Sequence, residues 1–172
     1  ASEHFGLEPD IAAIAKGIAS GLPLGATVAR AELITWKPGA HASTFGGNPV
    51  SVAAALTTIE LLEKELVDNA ARVGARMMAR MREWPRRFPC VGDVRGLGLM
   101  IGFEIVRDQA SKERDPELRD RIVELAFRRG LLVLGAGANS VRLAPPLVLT
   151  ADQADFAVET LEGCIRDAAK GE

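Results

Sequence analysis

The sequence predicts an α+β chain, and three features carry that prediction. A helical pattern opens at Asn48-Pro49 and runs to Pro85. Beyond Pro89, glycines interspersed with Leu, Met, Ile and Phe from Val91 to Val106 read as strands. Amphipathic helices follow over 116–130 and after Thr150. Strands followed by helices in this order give a layered unit of modest size. With 48% hydrophobic residues over 172 positions, the chain suffices for one ordinary domain or two small ones with a real core.

From the start, Glu8-Pro9-Asp10 reads as a helix opening, followed by Ile11, Ile14 and Ala15 at helical spacing. Gly17, Gly21, Pro23 and Gly25 then mark turns, and Ala26-Thr27-Val28-Ala29 a short strand. After an irregular stretch with Pro38, Gly39, Gly46 and Gly47, Asn48 caps the long helix and Pro49 takes its first position. Val52, Leu56, Ile59, Leu62, Leu66, Val73, Met77 and Met81 recur at three- and four-residue steps, with room for a break near Asp68-Asn69, and Pro85 ends the run. Residues 107–116 are charged and loop-like. The helix over 116–130 turns Leu118, Ile122, Leu125 and Ala126 inward and stops at Gly130. Leu131–Leu134 and Val141–Leu143 read as strands joined by a glycine-bearing turn. Thr150 caps the last helix, with Phe156, Val158, Leu161 and Ile165 inward.

Composition excludes several classes. The formal net charge of −2 is unlike the clustered basic face that a nucleic acid requires. Cys90 and Cys164 have neither the spacing of a zinc site nor that of a disulfide framework, which points to a reducing cytoplasm and to no metal. No apolar run is long enough to span a membrane, so no membrane partner is expected. Gly96-Leu97-Gly98 and Gly135-Ala136-Gly137 lack the strand–loop–helix setting of a dinucleotide site, and the Met77, Met78, Met81 cluster reads as core filling.

Three places carry chemistry. Lys16 stands at the expected end of an apolar helix, immediately before a glycine-rich loop. In a crowded, partly dry site an amine loses affinity for its proton and can condense with an aldehyde, although a lysine also suits a helix C-terminus. His41-Ala42-Ser43-Thr44-Phe45-Gly46-Gly47-Asn48-Pro49 sets hydroxyls and glycines before a helix start, which serves equally as an anion site or as an ordinary cap. Arg142, within Val141-Arg142-Leu143-Ala144-Pro145-Pro146-Leu147, either meets a carboxylate in two-point fashion or alternates onto a solvent face.

Taken together and in order, these pieces resemble the class III aminotransferases, the 4-aminobutyrate and acetylornithine type. Pro9-Asp10-Ile11, Lys16-Gly17 and Gly21-Leu22-Pro23-Leu24-Gly25-Ala26 are similar to that family's cofactor-lysine motif. His41 with Ser43-Thr44-Phe45-Gly46-Gly47-Asn48-Pro49 resembles its phosphate-contacting motif. Gly96-Leu97-Gly98-Leu99-Met100, Gly102 and Glu104, then Arg142 and Pro145-Pro146-Leu147, resemble the motifs of its C-terminal domain. The likeness covers essentially the whole chain.

The resemblance implies an α/β and α+β architecture, the pyridoxal-phosphate (PLP) transferase fold type I. Residues 1–48 would belong to the large cofactor-binding domain, 49–85 would form a connecting helix, and 86–172 the small C-terminal domain. It implies pyridoxal 5′-phosphate held as an imine (a Schiff base) by Lys16, which then acts as general base. Thr44, with Ser43 as a weaker neighbour, would bind the cofactor phosphate, Thr44 reaching across to the other subunit of a homodimer or dimer of dimers. Arg142 would grip a substrate carboxylate. The implied reaction is amino transfer from an amine or ω-amino acid, 4-aminobutyrate first, to a 2-oxo acid such as 2-oxoglutarate. Acetylornithine transamination, a racemase, aminomutase or decarboxylase of the same family, and a non-catalytic dimerisation fragment are the alternatives. Family members are longer. Their glycine/serine phosphate loop, the aromatic residue stacked on the pyridine and the aspartate at its nitrogen have no counterpart here, so the expectation is a partial chain that is inactive alone.

Overall fold

The computed structural model describes residues 2–171 and divides into two units, Ala1–Lys64 and Glu65–Glu172. In the first, β1 (Ile11–Ile14) and β2 (Ala26–Ala29) pair antiparallel, Ile11 opposite Ala29 and Ile14 opposite Ala26. This corrects the helix expected from Glu8-Pro9-Asp10. The segment between Pro9 and Gly17 is too short to offset helix nucleation, whereas β-branched Ile11 and Ile14 suit a strand that β2 can partner. The hairpin is clamped at its open end, where Arg30 N–H donates to Asp10 O at 3.0 Å and Arg30 Nε meets Asp10 Oδ1 at 2.7 Å. Helix α1 (Pro49–Leu61) starts as predicted: Asn48 Oδ1 accepts from the N–H groups of Val50 and Ser51, and Pro49 occupies the first turn. This unit buries only Ala19, Ser51 and Ala55 among its described residues, and α1 leaves Val50, Leu56 and Ile59 exposed. A two-stranded sheet with so little buried beneath it is marginal in water.

The helical run expected to reach Pro85 is interrupted. A π turn at Leu62–Leu66 separates α1 from α2 (Val67–Met81), slightly upstream of the break anticipated at Asp68-Asn69, and Pro85 lies in the first turn of a short α3 (Trp84–Arg87). In the second unit, β3 (Val91–Leu97), β4 (Met100–Asp108), β5 (Glu113–Arg114), β6 (Leu134–Ala136) and β7 (Ser140–Leu143) form one antiparallel sheet in the order β3-β4-β7-β6, with β5 paired to the far end of β4. The β3–β4 loop is the two-residue Gly98-Leu99, with positive φ only at Gly98, the pattern of a type II′ hairpin turn. Ile101, Phe103 and Ile105 of β4 point to one face. Against them lie Val73, Met77 and Met81 of α2, Ile122 and Ala126 of α4 (Pro116–Arg128), and Val158, Leu161 and Ile165 of α5 (Ala151–Lys170). Met77, Met78 and Met81 are core residues, as their spacing predicts.

Three expectations in this unit are corrected. The stretch 107–116, read as a loop, carries the end of β4 and the short β5. The strand placed at Leu131–Leu134 begins only at Leu134, because Gly130 (φ +80°) and the Leu131 N–H, bonded to Ala126 O at 2.9 Å, are still closing the end of α4. Phe156 is 54% exposed rather than inward: α5 buries positions 154, 158, 161, 165 and 168, and 156 lies on the far side of that stripe. The capping box of α5, Thr150 with Gln153, is complete in both directions. Cys90 and Cys164 are both free, and burial pushes both thiols up from their ordinary range.

Gly74 is fixed by packing rather than by turn geometry. A Cβ there would stand 2.1 Å from Gly98 O and 2.3 Å from its carbonyl carbon, so α2 lies directly on the β3–β4 turn. Gly74→Ala gains helix propensity worth about 1 kcal/mol. It must also displace backbone, at an overpacking cost of about 1–3 kcal/mol. The expected net result is a lower Tm, by about 2–4 °C per kcal/mol, in thermal unfolding followed by circular dichroism. An unchanged or higher Tm would show that the turn yields freely.

Candidate active site

Lys16 follows β1 after the single residue Ala15. Its backbone is left-handed, at φ +56°, and it opens a 3₁₀ turn over Lys16–Ala19 that closes with Ser20 (φ +50°) and Gly21 (φ +107°). An L-residue in this region costs about 1–2 kcal/mol, and such strain collects where function fixes a backbone. The helix end expected beneath Lys16 is therefore replaced by a strand end and a strained turn. Lys16 is exposed, and with Gly17, Ser20, Gly21, Leu22 and Leu24 it lines a concavity of about 470 Å3.

A second concavity, of about 820 Å3, is lined by Thr27 of β2 and by Trp36, His41, Ser43, Gly46 and Gly47 from the loop before α1. The Trp36 and His41 rings meet edge to face, 5.2 Å apart at 89°. The two hollows share Pro23 and Leu24 at their rims. Thr44 lies in the loop between two lining residues but lines neither hollow. The turn closes on itself through Gly46 N–H to Ser43 O (3.3 Å) and Asn48 N–H to Phe45 O (3.2 Å). Among the described residues, no backbone carbonyl accepts from the N–H groups of Thr44, Phe45 and Gly47. The hydroxyls of Ser43 and Thr44 stand in the same loop as these amides, and both are group types that bind anions.

In the second unit, Arg142 occupies β7 with Val141 and Leu143 turned into the core, so strand alternation sets Arg142 on the open face of the sheet. Gly102 and Leu134 are its cross-strand partners. On the same face Arg95 is held at 2.8 Å by Asp93 and at 2.7 Å by Glu104, whereas no carboxylate among the described residues lies within ion-pair distance of Arg142. Arg142 is thus exposed, on a sheet face open to a ligand.

The family model for aminotransferase class-III matches residues 1–165. The chain belongs to the class-III aminotransferase family. It is 40% identical to a leucine/methionine racemase of Thermococcus litoralis over 99% of its own length and 39% of that protein. To an acetylornithine aminotransferase of Gloeobacter violaceus it is 42% identical, over 94% of this chain and 38% of the relative. Among solved structures, the PLP-bound form of an amine transaminase from an uncultivated Pseudomonas species superposes with a TM-score of 0.86 at 36% identity, covering 97% of this chain and 40% of that one. The chain thus spans about two fifths of the length of the relatives it matches, and its fold is the corresponding part of PLP fold type I.

Pyridoxal 5′-phosphate is the cofactor of this class-III family, and the residues present fit it. A primary amine on a strained turn, and a loop with hydroxyls and amides that no backbone carbonyl takes up, are the kinds of group that an aldehyde bearing a phosphate requires. The sequence pointed to Lys16, Ser43, Thr44 and Arg142. It missed Thr27 and Trp36, which share the second hollow with Ser43 and which no local pattern marks out. It also missed Thr58 of α1, whose hydroxyl meets Ser20 of the Lys16 turn at 2.8 Å.

Proposed function

We propose that this chain supplies the cofactor lysine, a phosphate cradle and a carboxylate-binding arginine to a PLP-dependent aminotransferase. The reaction is amino transfer from an amine or ω-amino acid, with 4-aminobutyrate the first to try, to a 2-oxo acid such as 2-oxoglutarate. The observation that carries this reading is Lys16 itself: in a chain of this family, at the lysine position its motif marks, the backbone is held at φ +56°. Bound pyridoxal phosphate supplies an aldehyde that condenses with amines and a ring that takes up the electron pair left when a neighbouring C–H bond breaks. Lys16 Nζ would hold the group through that aldehyde and, when free, would exchange a proton at the amino-bearing carbon of the substrate. Arg142, on the open sheet face, pairs with a substrate carboxylate through both arms of its guanidinium.

Lys16 and Thr44 line no common hollow. In this reading the chain forms a homodimer in which Thr44, with Ser43 beside it, holds the phosphate of the partner subunit's cofactor, as the likeness to the family's phosphate-contacting motif implies. The thin core of the first unit supports the same reading, since α1 leaves apolar residues for another surface to cover. We assign residues 1–48 to the cofactor-binding domain, 49–85 to the connection and 86–172 to the small domain. The shares of relatives covered support a working enzyme longer than these 172 residues.

Racemisation of an amino acid is a second reading, favoured by the 40% identity to a leucine/methionine racemase. One experiment separates the readings. The chain is incubated with pyridoxal phosphate and scanned for an imine absorbance band, then offered 4-aminobutyrate or acetylornithine with 2-oxoglutarate, or L-leucine alone. Glutamate formed only when the oxo acid is present supports amino transfer; D-leucine formed without any oxo acid supports racemisation. An absent band with wild-type protein overturns cofactor binding by this chain and favours a non-catalytic assembly fragment.

A further inference from the structure

The turn that carries Lys16 is tied to α1 by one side-chain bond. Ser20 Oγ and Thr58 Oγ1 are 2.8 Å apart, across 38 positions of sequence. The Thr58 hydroxyl also lies 2.8 Å from Ala54 O, one helical turn back, and a carbonyl can only accept. The single Thr58 proton is therefore committed to Ala54 O, and Ser20 is the donor to Thr58. Thr58 thus acts as a fixed acceptor on a regular helix. Ser20, whose left-handed backbone (φ +50°) closes the turn that Lys16 (φ +56°) opens, is pinned to it. The backbone bonds of the turn run from Ile18 N–H to Ala15 O at 3.4 Å, from Ser20 N–H to Gly17 O at 3.2 Å and from Leu22 N–H to Ala19 O at 3.1 Å. Two left-handed L-residues stand within five positions here, and strain of this kind persists only where surrounding structure over-determines it. Ala19, in the same turn, is buried at 1% exposure and seats the turn on the unit.

We infer that Ser20 and Thr58 are positioning residues for Lys16, their hydrogen bond holding the turn so that the lysine amine is presented to the cofactor aldehyde. The inference rests on Lys16 as the cofactor amine, and it assigns to α1 a task beyond connecting domains.

The test uses the full chain with Thr58→Val, Thr58→Ser, Ser20→Ala and the Ser20→Ala/Thr58→Val double variant. Valine keeps the β-branched shape of threonine and removes the acceptor. Protein mixed with pyridoxal phosphate is reduced with borohydride, and the pyridoxyl label is mapped over Lys16, Lys37, Lys64, Lys112 and Lys170. Backbone hydrogen exchange over residues 16–22 is measured in parallel without cofactor. Wild type is expected to carry the label mainly at Lys16. The share at Lys16 should fall about two- to tenfold in Thr58→Val and in Ser20→Ala, the span that one neutral hydrogen bond supports. The double variant should fall no further than either single one, because only one bond is lost. Thr58→Ser should restore labelling, and exchange over 16–22 should quicken in the two impaired variants but not in Thr58→Ser.

Equal Lys16 labelling in wild type and Thr58→Val overturns the positioning role while leaving the cofactor reading standing. A wild type labelled evenly over all its lysines overturns the cofactor reading, and this inference with it, whatever the exchange rates show.

Discussion

Lys16→Ala is expected to abolish the PLP absorbance band and to lower any amino-transfer rate by about 10²–10⁴-fold, the contribution of a positioned general base, with a further loss from covalent attachment. Lys16→Arg should behave alike, because a guanidinium stays charged and cannot condense with an aldehyde. The informative partner is Lys16→Gly. At φ +56° an L side chain is held at a cost that glycine does not incur, so this variant should unfold at higher denaturant than wild type, by about 1 kcal/mol, while losing the band as completely as Lys16→Ala. Lost function joined to gained stability marks a residue retained for chemistry. Two measurements decide it, urea unfolding and absorbance after cofactor addition. If Lys16→Gly is less stable than wild type, the left-handed turn is not strained at this position; if it keeps the band, Lys16 is not the cofactor amine.

Much of the second unit is legible in the sequence because its signals are local. Thr150 with Gln153 caps α5, Gly130 ends α4, and Gly98 makes the β3–β4 turn, each through a requirement of one or two residues. The periods of Met77, Met81, Val158, Leu161 and Ile165 mark the faces that meet in the core. The first unit reads less well. Ile11, Ile14 and Ala15 fit a helical step as readily as a strand, and only β2, twelve or more positions away, decides for the strand. That choice moved Lys16 from a helix end to a strained strand end. The Ser20–Thr58 bond is illegible for the same reason: serine and threonine are common, and nothing local says which two will meet across 38 positions. Lys16 and Thr44 were singled out through ordered motifs. That they line no common hollow depends on how the loop over 35–48 runs, which glycines and prolines leave open.

Glu162→Ala is expected to destabilise the second unit by about 3 kcal/mol and lower its Tm by roughly 6–12 °C. Glu162 is a buried carboxylate, 8% exposed, on α5. It accepts from Trp84 Nε1 at 3.0 Å and from both arms of Arg87 at 2.8 and 2.9 Å, with Arg80 at 3.7 Å. Trp84 is wholly buried, so removal of the carboxylate leaves its N–H without water or partner, at about 1–3 kcal/mol, and a void beside it. Arg87 is half-exposed and can turn to solvent, which keeps the total at the low end for a broken buried pair. Trp84→Phe in the Glu162→Ala background should recover part of the loss, since the orphaned donor goes with it. Burial alone would push the Glu162 carboxyl up, but Arg87, Trp84 and Arg80 together outweigh it and hold the group below its ordinary value. Arg76 does the same for Asp155, and Arg129 for Asp167. A carboxylate depressed in the folded state contributes stability that is full above its unfolded value, about 4.3 for a glutamate, and that is lost as the pH falls through the folded one. Wild-type Tm should therefore stay level with respect to these groups between pH 6 and 8 and drop on acidification below about pH 4.5. Glu162→Gln, which keeps the shape and one acceptor oxygen, should start lower and fall less steeply. A Gln variant that loses stability with acid as steeply as wild type would remove Glu162 from the ionic core of this fold.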